Sequence, residues 1–346
     1  MDHWEQAYAI KPDKFEYVFG LGEECLRQKL EVKAIELLSK ACLLKPESGQ
    51  AWLMLAKAYQ QNGVSSKAIE CALKAEKLLL DSAEPLLICS EAARTLGNMA
   101  MADQYIRKAL TIAPQNAEVV LSYVDVLIAQ GQHKEALSAL ESYLPGLENN
   151  IRARQKFAEL LWKVKGTDVA LPYLKELVES APNESGSLAL YAKMLNEKGD
   201  QDGAVIAAQK ALKLLPTQAE LHLLLGKIYG QRGQLDQALH HLSEAVRQAP
   251  GDVEAYLELG GVYRERREYL NALYVYQQAI SLFPSDFRAY VHAASVLRET
   301  KDYAGAEAML RKASQLAPDD LNVHRQLSAI IALNLIHHAQ EVNVTS

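Results

Sequence analysis

Histidine and cysteine are the residues of this sequence that could bind a metal ion or act as nucleophiles. The nine histidines form only two clusters, His240-His241 and His337-His338. A structural zinc site needs four ligands at suitable spacing, and neither cluster is accompanied by cysteines or carboxylates in a known motif. We therefore expect both pairs to be solvated histidines on helix surfaces. We expect no metal site, no cofactor and no catalytic group, so the sequence does not indicate an enzyme.

The four cysteines are Cys25, Cys42, Cys71 and Cys89. They show no CxxC spacing, and two of them fall at positions that are apolar elsewhere in the pattern described below, so we expect buried free thiols. Free thiols fit a reducing compartment. No apolar run is long enough to span a membrane, and the N-terminal residues lack a signal-peptide core, which together favour a cytoplasmic protein.

Carboxylates at helical spacing are the residues whose chemistry could attract a partner. Glu84 and Glu91 lie seven residues apart, which places them two turns apart on one helix face, and Glu118 and Asp125 repeat this spacing. Residues 1–150 carry 15 basic and 20 acidic side chains, which accounts for most of the net charge of −6. An acidic strip of this kind should recruit a basic segment, and its attraction should weaken with salt.

The full set of side chains expected to face one groove is larger. It consists of Glu16, Glu23, Glu84, Glu91, Glu118, Asp125, Glu159, Arg264 and Arg298. The acidic members should hold a Lys- or Arg-bearing segment, and the two arginines should offer a site for acidic residues. The alternative is a merely solvated face. A mildly acidic chain without a basic run is not expected to bind nucleic acid.

The elements that position these residues follow a period of 34. Alanine occupies one position of this period in all nine copies, and proline occupies another position in eight of its ten occurrences. The alanines are Ala34, Ala68, Ala102, Ala136, Ala170, Ala204, Ala238, Ala272 and Ala306, and the prolines are Pro12, Pro46, Pro114, Pro182, Pro216, Pro250, Pro284 and Pro318. A fixed period of this length is the signature of a repeat architecture in which each copy packs on its neighbours.

Within each period the pattern predicts a helix, a tight turn, a second helix and a proline-marked turn. Small residues such as Gly22, Ala56 and Gly260 recur on the first helix, where they let two helix backbones approach closely. Recurring glycines such as Gly63 and Gly131 should end the first helix in a left-handed conformation. The residue after each recurring proline, or after the residue that replaces it, is expected to cap the next helix. These caps would be Asp13, Asp81, Asn149, Asn183, Thr217, Ser285 and Asp319.

This pattern resembles the tetratricopeptide repeat, whose signature is W-x2-L-G-x2-Y, then A-x3-F-x2-A, then P. Residues 52–59 run from Trp52 through Leu55-Ala56 to Tyr59, and residues 256–263 carry Leu259-Gly260 between two tyrosines. The resemblance implies an all-α solenoid: a right-handed superhelix of antiparallel helix pairs whose first helices line a concave groove. Residues 1–14 would be a partial second helix and residues 321–346 a capping helix with a short tail. The nine repeats between them would be 15–48, 49–82, 83–116, 117–150, 151–184, 185–218, 219–252, 253–286 and 287–320.

Two specialised versions of the family are not matched. The chaperone-binding type carries a lysine four residues before an asparagine in a first helix, but the corresponding pairs here include Phe19/Glu23 and Leu53/Lys57. The groove row that holds asparagines in the sugar-transferase type holds none here. The resemblance therefore implies a non-catalytic scaffold or adaptor that binds a protein segment in its groove. The alternative is the regulatory or substrate-recruiting part of a larger enzyme, or of a secretion or envelope assembly system.

Two places depart from the repeat. At residues 143–150 a bulky Tyr143 replaces the packing alanine and Pro145 comes three residues early, which predicts a local change of superhelical pitch. The last helix carries apolar residues around more than one face, including Leu335 and Ile336, although terminal repeats normally have a polar outer side. This favours self-association or docking through the C-terminal helix, the alternative being burial against residues 303–317.

Overall fold

The computed structural model describes the backbone of residues 2–345 and the side chains of residues 3–337. Within that range every regular element is helical, which confirms the predicted all-α fold. The helices are α1 (Asp2–Ile10), α2 (Phe15–Arg27), α3 (Glu31–Leu44), α4 (Gly49–Gln61), α5 (Ser65–Leu78), α6 (Glu84–Thr95), α7 (Met99–Ile112), α8 (Ala117–Ala129), α9 (His133–Tyr143), α10 (Ile151–Lys165), α11 (Thr167–Ser180), α12 (Ser185–Glu197), α13 (Gln201–Leu214), α14 (Ala219–Gln231), α15 (Leu235–Gln248), α16 (Val253–Glu265), α17 (Tyr269–Leu282), α18 (Phe287–Glu299), α19 (Tyr303–Leu316) and α20 (Leu321–Thr345).

The chain divides into two compact units, residues 1–177 and 178–346, and the boundary lies inside α11. In unit 1 the first helices α2, α4, α6 and α8 each pack against the second helix that follows, and neighbouring first helices also touch. In unit 2 the first helices α12, α14, α16 and α18 pack on their second helices in the same way, and α20 packs against α19. Each unit is therefore an α-solenoid of helix pairs that contact only their neighbours, as predicted.

The small-residue row of the first helices receives a large side chain from the second helix. A Cβ atom placed on Gly22 would lie 2.9 Å from Cγ of Leu38, and one placed on Gly260 would lie 2.4 Å from Cε1 of Tyr276. Tyr276 is fully buried. The absence of a side chain at these positions thus sets how closely the two helices of a repeat approach.

The glycine-marked turn between the two helices has the geometry expected of a helix C-terminus. Gly63 has a φ of +76°. The Val64 N–H donates to the Tyr59 carbonyl at 2.9 Å, and the Gly63 N–H donates to the Gln60 carbonyl at 3.1 Å. This pair of bonds is the Schellman arrangement, which satisfies two carbonyls at the helix end.

The predicted helix caps are wrong by one residue. Pro46 and Glu47 are the central residues of a turn closed by the Ser48 N–H donating to the Lys45 carbonyl at 3.0 Å. The residue after the proline therefore lies inside the turn, and the next residue caps the helix: the Ser48 hydroxyl accepts from the Ala51 N–H at 3.3 Å. The residues predicted as caps were Asp13, Asp81, Asn149, Asn183, Thr217, Ser285 and Asp319. Where a side chain caps the following first helix, it belongs to Ser48, Asn116, Asn150, Asp252, Asp286 or Asp320.

In several repeats, a ring near the start of the first helix forms a hydrogen bond to the carbonyl of the preceding proline. The indole Nε1–H of Trp52 donates to the Pro46 carbonyl at 2.9 Å, and the Tyr290 hydroxyl donates to the Pro284 carbonyl at 3.2 Å. His222 places Nε2 3.3 Å from the Pro216 carbonyl in the same way. The rings at this repeat position thus form hydrogen bonds in addition to packing against their neighbours.

Residues 143–150 are irregular. Helix α9 has 11 residues where α7 has 14, and it is followed by the 3₁₀ turn Leu144–Gly146. Fewer helical hydrogen bonds and weaker packing between neighbours should allow more frequent local opening. We expect amide hydrogen exchange between residues 140 and 155 to be faster than at the equivalent turn around residues 106–121. Equal protection at the two turns would contradict this expectation.

Candidate functional site

Lysine–glutamate bridges join neighbouring first helices on one side of each unit. In unit 1, Lys57 Nζ lies 2.7 Å from Glu84 Oε1, 27 residues later. In unit 2, Lys227 Nζ lies 2.9 Å from Glu254 Oε1, and Lys193 pairs with Glu220, both at the same spacing. The lysine is the ninth residue of one repeat, and the glutamate is the second residue of the next. These pairs are partly exposed, so each contributes about 0–1 kcal/mol.

Three of the eight junctions between consecutive full repeats carry this lysine–glutamate pair, and the junction between α6 and α8 is the one at which both positions are acidic. Its ninth and second residues are Glu91 and Glu118, which are like charges. Arg94 pairs with Glu91 at 2.5 Å within the same helix, whereas Glu118 makes no ion pair among the described residues. Both glutamates line an open cleft of about 300 Å³, hereafter the acidic cleft, whose lining residues are Lys57, Gln60, Glu84, Leu87, Ile88, Glu91, Glu118 and Ser122.

The other predicted acidic residues of unit 1 are more dispersed than a continuous strip. Asp125 pairs with Lys156. Glu16 lies 3.9 Å from Lys14, and Glu159 is exposed. Glu23 is half-buried, and burial raises its pKa although the nearby Arg27 and Lys57 cations oppose this. Within the acidic cleft, Glu84 pairs with Lys57 and Glu91 pairs with Arg94, so Glu118 is the carboxylate of the cleft that has no ion pair among the described residues.

The two predicted arginines belong to unit 2. Arg264 Nε lies 3.9 Å from Glu299 Oε1, a long contact between partly exposed side chains. Arg298 is exposed and borders a shallow depression between α18 and α20 that is too small to hold a side chain.

The prediction that the histidine pairs are solvated is wrong for His241. His240 is exposed, but His241 turns toward the first helix of its repeat, where its Nδ1 lies 3.0 Å from Nδ1 of the buried His222. Burial, followed by the charges of His222 and His240, lowers the pKa of His241 to about 4. His337 contacts the Tyr303 ring edge-on, and the His338 side chain lies outside the described residues.

The His222 ring can donate to the Pro216 carbonyl only through Nε2–H. In the neutral state its Nδ1 must then accept, so His241 donates its Nδ1–H to it. Among residues 3–337, no group of three or more histidine, cysteine, aspartate or glutamate side chains could hold a metal ion.

The four cysteines are free and buried, as predicted. Burial raises the pKa of Cys42 and of Cys89 to about 12, so both thiols are uncharged at neutral pH. Across the described part of the chain, no helix is both long and apolar enough to cross a membrane.

Comparison with known families identifies the repeat. Four profiles, each described as tetratricopeptide repeat, match residues 68–217, 223–286, 263–330 and 49–78. The chain belongs to the tetratricopeptide repeat family. Repeat arrays of this kind present extended binding surfaces, so membership supports a general role as a protein-interaction scaffold. No curated protein sequence matches the chain significantly.

Solved structures share the fold. A tetratricopeptide repeat protein from Parabacteroides merdae is 17% identical with a TM-score of 0.52, and the match covers 72% of this chain and 98% of that one. PilF from Pseudomonas aeruginosa is 21% identical with a TM-score of 0.52, covering 61% and 96%. MamA from Desulfovibrio magneticus is 24% identical with a TM-score of 0.46, covering 49% and 97%. At these identities the first two support the tetratricopeptide repeat fold alone.

Proposed function

We propose that this protein is a non-catalytic scaffold whose acidic cleft binds a basic segment of another protein. The observation that carries the proposal is the like-charge pair Glu91 and Glu118, at the two repeat positions where three other junctions place a lysine opposite a glutamate. Three other junctions complete the bridge within the chain. Here Arg94 pairs with Glu91, and a cation supplied by a partner would pair with Glu118.

The chemistry of the cleft defines the segment further. Leu87 and Ile88 provide an apolar surface between the carboxylates. An extended or helical segment with lysines or arginines on either side of a leucine would satisfy both features. Because each exposed charge contact is worth about 0–1 kcal/mol, several must act together, and binding should weaken as salt screens them.

The test measures the binding of short fluorescent peptides in which lysines flank a leucine. We expect affinity to fall about tenfold in the double variant Glu91→Gln/Glu118→Gln and to depend less on salt than in the wild type. The matched control is Glu135→Gln/Glu141→Gln, which removes two exposed carboxylates from α9. Equal affinity and equal salt dependence in the wild type and both variants would contradict the proposal.

A second proposed contact is self-association through α20. Ile330 is buried, but Leu333, Leu335 and Ile336 are exposed, by 67% in the case of Leu335. Exposed apolar residues grouped on one helix are typical of an interaction surface. We expect the wild type to form a species heavier than the monomer, and Leu335→Glu/Ile336→Glu to shift it to the monomer.

The control for self-association is Leu321→Glu, because Leu321 is more exposed than Leu335 but lies in the first turn of the same helix. Light scattering after size exclusion gives the mass of each species. If the double variant has the same mass as the wild type, α20 is not the contact.

We further infer a cytoplasmic location, which free cysteines support.

A further inference from the structure

A second cleft lies in unit 1 on the side of the second helices, away from the acidic cleft. It is an open cavity of about 270 Å³ between α3, α4 and α5. Its apolar lining comes from Leu43, Trp52, Leu55 and Tyr59, and the buried Cys42 and Cys71 also border it. We refer to it as the lysine-rimmed cleft because Lys67 and Lys74 stand at its edge.

The two lysines sit over the aromatic rings of the lining. Lys74 Nζ is 4.4 Å from the centroid of the Trp52 ring, and it also lies 3.1 Å from Glu70 Oε1. Lys67 Nζ is 5.4 Å from the centroid of the Tyr59 ring and makes no ion pair among the described residues. One ammonium is thus neutralised, while the other is held beside the cavity by a ring alone.

Apart from Lys67, Glu70 and Lys74, the residues that line the cleft carry no charge. The indole of Trp52 is fixed by its hydrogen bond to the Pro46 carbonyl. Burial raises the pKa of Cys42 to about 12 and that of Cys71 to about 11, so neither thiol carries a charge at neutral pH. An apolar side chain could therefore enter the cavity without ordering the lining first, which lowers the entropic cost of binding.

A cavity of similar size lies at the corresponding place in unit 2, but no lysine lines it. An open cavity of about 310 Å³ is lined there by Tyr256, Tyr274, Gln277, Gln278, Ser281 and Leu282. Tyr256 occupies the repeat position of Trp52, and Gln278 that of Lys74. A cleft beside the second helix thus recurs in the fold. The repeat at residues 15–48 also has lysines at the positions of Lys67 and Lys74, but these two, Lys33 and Lys40, pair with Glu5 and Asp13.

We propose that the lysine-rimmed cleft binds a segment of a partner protein in which a large apolar side chain stands next to carboxylates. The apolar side chain would pack on Trp52, Leu55 and Tyr59, and a carboxylate would pair with the Lys67 ammonium. Such a segment has the opposite charge to the one proposed for the acidic cleft. Unit 1 would then distinguish two kinds of partner segment by the side on which they dock.

The experiment uses the full chain and two fluorescent peptides that are identical except for charge: a phenylalanine flanked by glutamates, and the same residue flanked by lysines. We expect the acidic peptide to bind the wild type and to bind Lys67→Glu about tenfold more weakly. The matched control is Lys77→Glu, on the same helix but outside the cleft, which should bind as the wild type does. Unchanged affinity in Lys67→Glu, or tighter binding of the basic peptide at this cleft, would overturn the proposal.

The thiols give an independent readout of location. Cys42 and Cys71 border the cleft, whereas Cys25 and Cys89 are buried elsewhere in unit 1. Saturating acidic peptide should slow the alkylation of Cys42 and Cys71 by iodoacetamide, followed by mass spectrometry, and should leave the rates at Cys25 and Cys89 unchanged. No protection, or equal slowing at all four thiols, would show that the peptide binds elsewhere.

Discussion

Replacing Gly260 by alanine is expected to lower the free energy of unfolding by about 2 kcal/mol. The new methyl group would lie 2.4 Å from Cε1 of Tyr276, whose ring is fully buried and cannot move aside. Overpacking of this kind costs about 1–3 kcal/mol, and a gain of ≈1 kcal/mol in helix propensity offsets part of a cost at the upper end. Urea denaturation followed by circular dichroism measures the change.

The adjacent glycine and a neighbouring repeat provide the controls. Gly261→Ala should be neutral or stabilising by up to about 1 kcal/mol, because its nearest contact would be the Tyr276 hydroxyl at 3.9 Å. Tyr276→Leu should restore much of the stability lost in Gly260→Ala, since other repeats pair alanine with leucine at these positions. A Gly260→Ala protein as stable as Gly261→Ala would show that close packing at this row does not hold the helices together.

Acidification is expected to destabilise unit 2 through the His222–His241 pair. Burial lowers the pKa of both rings, to about 4 for His241, so the folded state binds protons less readily than the unfolded state. This contribution to stability is complete above the ordinary histidine pKa of about 6.5 and is lost as the pH falls from there toward 4. Because His241 is partly exposed, solvent screening reduces the effect, and we expect a loss of about 1–2 kcal/mol.

The charged groups around the two histidines do not reverse the expected loss of stability at low pH. Glu244 favours the charged state of both rings, while His240 disfavours it, and burial is the largest influence on each. The variant His222→Tyr/His241→Val copies Tyr256 and Val275 from the next repeat. Denaturation at about pH 7 and about pH 4.5 should show a smaller loss of stability in this variant than in the wild type. The same loss in both proteins would mean that the pair is not responsible.

Most of the fold could be predicted from sequence because its determinants are periodic. Small residues, glycines and prolines recur every 34 residues, and each has one local physical reason to be there. The caps were misplaced because a proline turn closed by an i to i+3 hydrogen bond takes one more residue than the rule of a cap after each proline allows. The position of the cap relative to the proline depends on backbone geometry, which composition does not reveal.

The site was predicted less completely than the fold. The sequence places the acidic residues on first helices, but it does not show which carboxylates are already neutralised. Lys57 and Glu84 are 27 residues apart, and they meet only because one repeat stacks on the next. Comparing the ninth residue of each repeat with the second residue of the following one would have revealed the three lysine–glutamate pairs, and also the one junction with two acidic residues, Glu91 and Glu118. The His222–His241 contact has a different origin, since it joins the two helices of one repeat and depends on how they pack.

Mapping the binding position of a basic segment tests the central proposal most directly. A lysine–leucine peptide carrying a photo-reactive group in place of its leucine would be cross-linked to the full chain, and the attachment sites would be identified by mass spectrometry. We expect attachment at Leu87, Ile88 and Ser122, in the acidic cleft, and its loss in Glu91→Gln/Glu118→Gln. Attachment mainly to the second helices or to unit 2, unchanged in that variant, would contradict it.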